Sequence, residues 1–193
     1  VFMSSLSGRF GPASNTAGWI AQRYLHLSFM PAVGISFALT AVVGRCLGAG
    51  RPDLAVQRAK LGIALAMGYM TLCALVFILF RHTLVRIWIP DDMLAAQAAE
   101  VLLVGAQIMI VAAIFQTFDG LGIALVGILR GAGDTVWPGI ATIILSWLFI
   151  VGGGAALAFG VPQWKSLGPW IAAGAYIIAL GIVMSTLRAI FGT

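Results

Sequence analysis

The sequence predicts an all-α, polytopic transmembrane bundle, and three observations carry that prediction. Of 193 residues, 61% are hydrophobic and 9% are charged, whereas a soluble domain carries about 25% charged residues. The apolar residues fall in continuous runs rather than in alternation, which favours helices over barrel strands. Several runs reach the ~20 residues that a helix needs to cross a hydrocarbon core about 30 Å thick. In lipid, only helices and closed barrels satisfy every backbone polar group.

Taken in order, residues 1 to about 6 read as the tail of a truncated helix. Val1-Phe2-Met3 looks like the interior of an apolar run, so more chain is expected upstream, and no secretory leader is visible. Gly11-Pro12-Ala13-Ser14-Asn15-Thr16 has the composition of a turn. A helix over about 18–47 follows, with Arg23 and His26 near its outer end. Pro31 is expected to bend it, because proline removes a helix hydrogen bond and crowds the preceding turn. Gly48-Ala49-Gly50 is expected to stop it.

The next helix is expected over 55–80, with no charge between Leu61 and Phe80. Arg81 and Arg86 follow, and Pro90-Asp91-Asp92 ends the connection. The run over 93–129 is longer than a span requires. A straight helix of that length extends about 55 Å, against roughly 40–45 Å for a bilayer with its headgroups. Its first turns, Ala95 to Glu100, are expected at or beyond the interface, and Gly120, Gly122 and Gly127 are expected to allow a bend. A fifth helix is expected over 136–161, with Gly152-Gly153-Gly154 inside it and a turn at Pro162-Gln163-Trp164-Lys165. Asp134 stands where it can cap that helix. The last helix is expected over 169–187, closed by Arg188. Residues 1–193 then form one transmembrane lobe.

The net charge of +5 follows membrane topology and does not indicate nucleic acid, because the basic residues sit at span ends and form no stripe with aromatics. Arg45, Arg51, Arg58 and Lys60 flank one connection, and alternation places Arg130 and Arg188 on the same side. Arg9, Arg23, Arg81, Arg86 and Lys165 fall on the other. The positive-inside rule then makes the 45–60 connection and the carboxy terminus cytoplasmic. Tryptophans 19, 88, 137, 164 and 170 cluster near span ends, as an aromatic belt does. Cys46 and Cys73 read as small packing residues, and their spacing from His26 and His82 makes no metal-ligand set.

A short internal repeat stands out. Val43-Gly44, three residues and Gly48-Ala49-Gly50 recur as Val126-Gly127, three residues and Gly131-Ala132-Gly133. Both copies end a span on the cytoplasmic side, where a glycine beyond the last turn accepts a left-handed conformation. Gly44 with Gly48, and Gly127 with Gly131, are small residues four apart, a spacing that lets membrane helices approach closely.

One acid lies inside an apolar run. Asp119 follows Phe115 and Gln116, and lies eleven residues before Arg130, which is about 16 Å into the membrane. A carboxylate at that depth costs at least about 2.5–3.5 kcal/mol, so it should face a cavity or a partner. There it can exchange a proton or, ionised, bind Na+ or an organic cation beside the aromatic Phe115. Gln116, three residues back, shares its side of the helix. A purely structural pairing with another helix is the competing reading.

At this point the residues resemble a known family. Leu129-Arg130-Gly131-Ala132-Gly133-Asp134-Thr135, Gln116-Thr117-Phe118-Asp119, and Pro31-Ala32-Val33-Gly34 through Val43-Gly44-Arg45-Cys46-Leu47-Gly48-Ala49-Gly50 are similar, in order and spacing, to the second lobe of multidrug and toxic compound extrusion (MATE) transporters. The resemblance covers nearly the whole chain. It implies a twelve-helix antiporter of two six-helix lobes in the plasma (inner) membrane, exporting drugs or organic cations in exchange for Na+ or H+ and needing no cofactor. This chain then holds the end of the seventh helix and helices eight to twelve. Its partners are the amino-terminal lobe, a small organic substrate and membrane lipid. The resemblance aligns Asp119 with an acid implicated in cation coupling, and puts Phe115 where some members carry tyrosine. The seventh-helix acid of that subgroup is not visible in Val1–Gly11.

Two other readings stand beside it. A flippase for lipid-linked oligosaccharides, built on the related fold, needs several basic residues in its groove, and only Arg23 is a candidate. One lobe alone, lacking the cleft between lobes, is expected to be inactive. An enzyme is not expected, because no Ser/His, paired Asp or metal-ligand constellation is present.

Overall fold

The computed structural model describes residues 12–90, 93–160 and 167–191. The expectations for residues 1–6, Arg9, Asp91-Asp92 and the turn at 162–165 fall outside these, as does the side chain of Arg188. Three long helices come first: α1, Pro12–Gly48; α2, Pro52–Arg86; and α3, Ala95–Gly131. α4, Val136–Leu145, continues as a π-helical segment, Ser146–Gly153, and then as α5, Gly154–Gly160. α6, Leu167–Phe191, closes the described chain. Among the described residues, Pro12–Gly48, Pro52–Arg86, Ala95–Gly131 and Val136–Leu157 are long and apolar enough to cross a membrane. The chain is therefore an all-α integral membrane bundle.

Several boundaries differ from the sequence reading for identifiable reasons. The turn expected at residues 11–16 is helix from Pro12 onward, with Ala13, Ser14 and Ala17 buried. Proline fits a first helical turn because the N–H it lacks has no intrahelical partner there. α1 passes through Pro31 without interruption. α2 extends beyond the expected 55–80 at both ends, taking in Asp53, Arg81 and Arg86. Long cationic side chains reach water from such positions. α3 is likewise uninterrupted. Its glycines are packing points and not breaks: a Cβ on Gly120 would come within 3.0 Å of the Ala66 carbonyl oxygen, and one on Gly127 within 2.5 Å of that of Ser36.

Both copies of the glycine repeat end a helix in the same way. Gly50 and Gly133 have φ of 68° and 91°, a left-handed conformation natural to glycine. Arg51 N donates to Cys46 O, and Asp134 N to Leu129 O, each at 3.0 Å, the six-to-one bond of a Schellman stop. Gly48 corrects the expectation of close packing, since its Cβ position has nothing within 4 Å. Asp134 accepts a 3.2 Å bond from the Trp137 backbone N–H at the start of α4.

Side-chain pairings give the helix directions. Ser36 meets Ile123 and Thr40 meets Gly127, so α1 and α3 run the same way. α2 runs back alongside both: Tyr24 meets Leu84 at one end, while Leu39 lies over Gly62 towards the other. α6 follows α3, with Gly174 against Phe115 and Leu180 near Gly122. α3 is the most enclosed helix, and its small residues form the middle of the core. One cluster gathers Ile20, Phe77, Val85, Ile108 and Met109, and the other Leu39, Val43, Ala66, Ala124 and Leu125. The outer face of α2 presents Leu61, Leu65, Leu72, Leu75 and Leu79, all exposed, as a lipid-facing surface requires.

Candidate functional site

A cavity of about 690 Å³ lies between α1, α3, α6 and the π-helical stretch. Each wall follows from helical spacing. Gln22, His26, Phe29, Val33 and Ser36 recur every three or four residues along one side of α1 and face it. Phe115, Asp119, Gly122 and Val126 do the same on α3, and Ala173, Tyr176 and Leu180 on α6. Thr142 and Ile150 close the remaining side. The lining is mainly apolar and aromatic with a few polar groups, the usual composition of a small-molecule site.

Asp119 projects into this space. It is partly exposed, and no hydrogen bond or ion pair joins it to another described residue. Tyr176 on α6 lines the same cavity. The other ionisable side chains in the wall besides Tyr176 are His26 on α1 and Arg130 in the last turn of α3. An unpaired acid among rings is suited to a cation.

The structure separates the three residues proposed from the sequence. Asp119 faces the cavity. Phe115, 5% exposed, contributes an edge to the wall and packs against Gly174. Gln116 borders the cavity but is only 1% exposed, and its amide turns into the junction of three helices: its Nε2 donates to Ser28 Oγ at 2.6 Å and lies 3.3 Å from Met70 Sδ. Of the packing residues, Gly44 and Gly131 meet across the α1–α3 seam, where a Cβ on Gly44 would lie 3.2 Å from the Gly131 carbonyl oxygen. Pro31 lies on the exposed side of α1. Sequence reading missed His26, Tyr176 and Ser36 as wall residues. On α1, the three-and-four spacing of polar and aromatic residues from Gln22 to Ser36 was the available signal.

Among the described residues no group of His, Cys, Asp and Glu is placed to hold a metal ion. Asp119 therefore supplies a single carboxylate to any cation bound here.

A family model described as MatE matches residues 1–153. The chain is 36% identical over 168 residues to a "Probable multidrug resistance protein NorM" of Xylella fastidiosa, covering 86% of this chain and 34% of that protein. It is 32% identical over 185 residues to a protein of the same name from Mesorhizobium japonicum, covering 95% and 39%. To "Multidrug resistance protein PmpM" of Pseudomonas aeruginosa it is 32% identical over 149 residues, covering 77% and 28%. The chain thus spans about a third of the length of these relatives.

Proposed function

This chain belongs to the MatE family, and we propose that the complete protein is a cation-coupled antiporter that exports drugs or organic cations across the plasma membrane. The relatives named for multidrug resistance support export of this kind. The observation that carries the coupling is Asp119, a carboxylate within the long apolar helix Ala95–Gly131, facing a cavity and unpaired among the described residues. Ionised, it attracts Na+ or a cationic drug, and protonated it releases either. One group that holds the coupling ion and the substrate in turn is sufficient for exchange. The amino-terminal lobe supplies the other side of the pathway, and the arginine-bearing α1–α2 turn faces the cytoplasm.

The flippase reading is less well supported. Arg130 and His26 lie towards opposite ends of the cavity, so among the described residues no cluster of cations is placed to grip a pyrophosphate there.

The test is efflux of a fluorescent cationic dye by the full-length protein, comparing wild type with Asp119→Asn at matched expression. Loss of efflux with normal membrane insertion is the expected result. Unchanged efflux would place the coupling elsewhere and leave Asp119 a structural residue.

A further inference from the structure

We infer that Gln116 is a positioning residue, whose bond to Ser28 sets the rotation of α3 and so aims Asp119 into the cavity; this rests on Asp119 being the coupling group. Two serines of α1 hold α3 on either side of Asp119. Ser28 Oγ accepts from Gln116 Nε2 at 2.6 Å, three residues before the acid. Ser36 Oγ donates to the Ile123 carbonyl oxygen at 2.9 Å, four residues after it. The Ser28 hydroxyl hydrogen is directed to the Leu25 carbonyl at 2.9 Å, which leaves its oxygen free to receive the amide.

α2 supplies the third point. Met70, fully buried, lies 3.3 Å from Gln116 Nε2, and its Cγ would sit 2.9 Å from a Cβ on Gly120. Gln116 and Gly120 are four apart and therefore share one face of α3, seated on Met70. At about 100° per residue, Asp119 projects some 60° from Gln116 and 100° from Gly120 around the helix axis. While that face stays seated, the carboxylate has only the cavity to enter.

Gln116 borders the cavity, but its amide is held in the helix junction by Ser28 and Met70 and the residue is only 1% exposed. Inter-helix hydrogen bonds in membranes are individually modest. The value of this one is angular, because a small rotation of α3 displaces Asp119 relative to Tyr176 on α6 and to His26 on α1, the titratable groups facing it from the other walls. Arg130 turns with Asp119, since both lie on α3.

The experiment uses full-length protein in liposomes, with ethidium as the transported probe and imposed Na+ or pH gradients. It reads the cation concentration giving half-maximal efflux, the maximal rate and thermal stability. Ser28→Ala and Gln116→Leu are each expected to shift that concentration by roughly three- to tenfold, the scale of one such bond, with maximal rate within about twofold. Their combination is expected to shift it no further than either alone, because both remove one contact. Ser28→Thr, which keeps the hydroxyl, is expected to restore the wild-type value. Thr40→Val removes a similar bond between the same two helices, to Gly127, eight residues beyond Asp119, and is expected to lower stability without moving the concentration.

An unchanged half-maximal concentration in Ser28→Ala and Gln116→Leu, or additive shifts, would overturn the inference. If Asp119→Asn abolishes cation dependence while those variants behave as wild type, only the positioning role fails. If Asp119→Asn keeps its cation dependence, the coupling reading itself fails.

Discussion

Gly127 of α3 lies so close to Ser36 of α1 that a single added methyl group would stand 2.5 Å from the Ser36 carbonyl oxygen. The same close approach puts the Ser36 hydroxyl on the Ile123 carbonyl and the Thr40 hydroxyl on that of Gly127, both at 2.9 Å. Membrane helices gain little from the hydrophobic effect against each other, so van der Waals contact and hydrogen bonds of this kind hold them together. The seam thus depends most on the absence of a side chain at positions 127 and 131, with Gly44 close behind.

Alanine at either position should force the backbones apart. Gly127→Ala and Gly131→Ala are each expected to cost about 1–3 kcal/mol, the usual range for overpacking. Thermal unfolding in detergent measures this. Gly34→Ala is the control, since nothing lies within 4 Å of its Cβ position. Equal behaviour of all three variants would show that the seam is loose.

A polar chain joins α1 to the carboxy-terminal end of α2. Trp88 Nε1 donates to Tyr24 Oη at 2.9 Å, Tyr24 Oη donates to the Leu84 carbonyl at 3.0 Å, and the Arg23 guanidinium lies 4.5 Å from the Trp88 ring. Tyr24→Phe is expected to cost about 0.5–1.5 kcal/mol. Trp88→Ala should cost more, because the Arg23 contact and the edge-on packing with Tyr24 are lost as well. Unfolding midpoints of the two variants and their combination give the coupling.

Gly174 leaves room for Phe115. A Cβ there would lie 3.0 Å from Phe115 Cδ1, so Gly174→Ala is expected to push the ring towards the cavity and narrow it. Efflux of a bulky dye should fall several-fold more than that of a small quaternary amine. A uniform loss for both would mean that the ring does not shape the passage.

The proposed orientation is open to labelling. Cysteines placed at Ala49 and at Ile87, both exposed and at opposite ends of the bundle, are introduced after Cys46 and Cys73 are replaced by alanine. In intact cells a membrane-impermeant maleimide is expected to label residue 87 and to spare residue 49 until the membrane is opened. The reverse pattern would invert the assignment.

How much of this was legible depended on whether a signal was local. Asp119 was visible because it is one charge in a long apolar run, and the glycine repeat because its stops use a left-handed residue at the same place twice. The start of α1 was misread at Pro12–Thr16, since proline, serine and asparagine mark helix beginnings as well as turns. Ser146–Gly153 has the composition of any apolar helix, and nothing in it announces π geometry. The cavity was hidden for a different reason. Its walls come from helices far apart in sequence, and which side of α1 meets which side of α3 is decided by contacts such as Ser28 with Gln116. Gln116 itself was placed beside Asp119 correctly along the chain, but its burial depends on Met70 and Ser28.

Because α1 and α3 run the same way, their peptide dipoles add, and each leaves roughly half a negative charge at its last turn. Both last turns lie at the same end of the bundle, and each contains an arginine, Arg45 in α1 and Arg130 in α3. These arginines neutralise two carbonyl-rich ends that would otherwise make that rim attractive to cations. Arg130 also belongs to the cavity wall. Its charge therefore sets up a potential that rises from Asp119 towards that rim, so a cation beside the carboxylate meets more resistance in that direction than in the other.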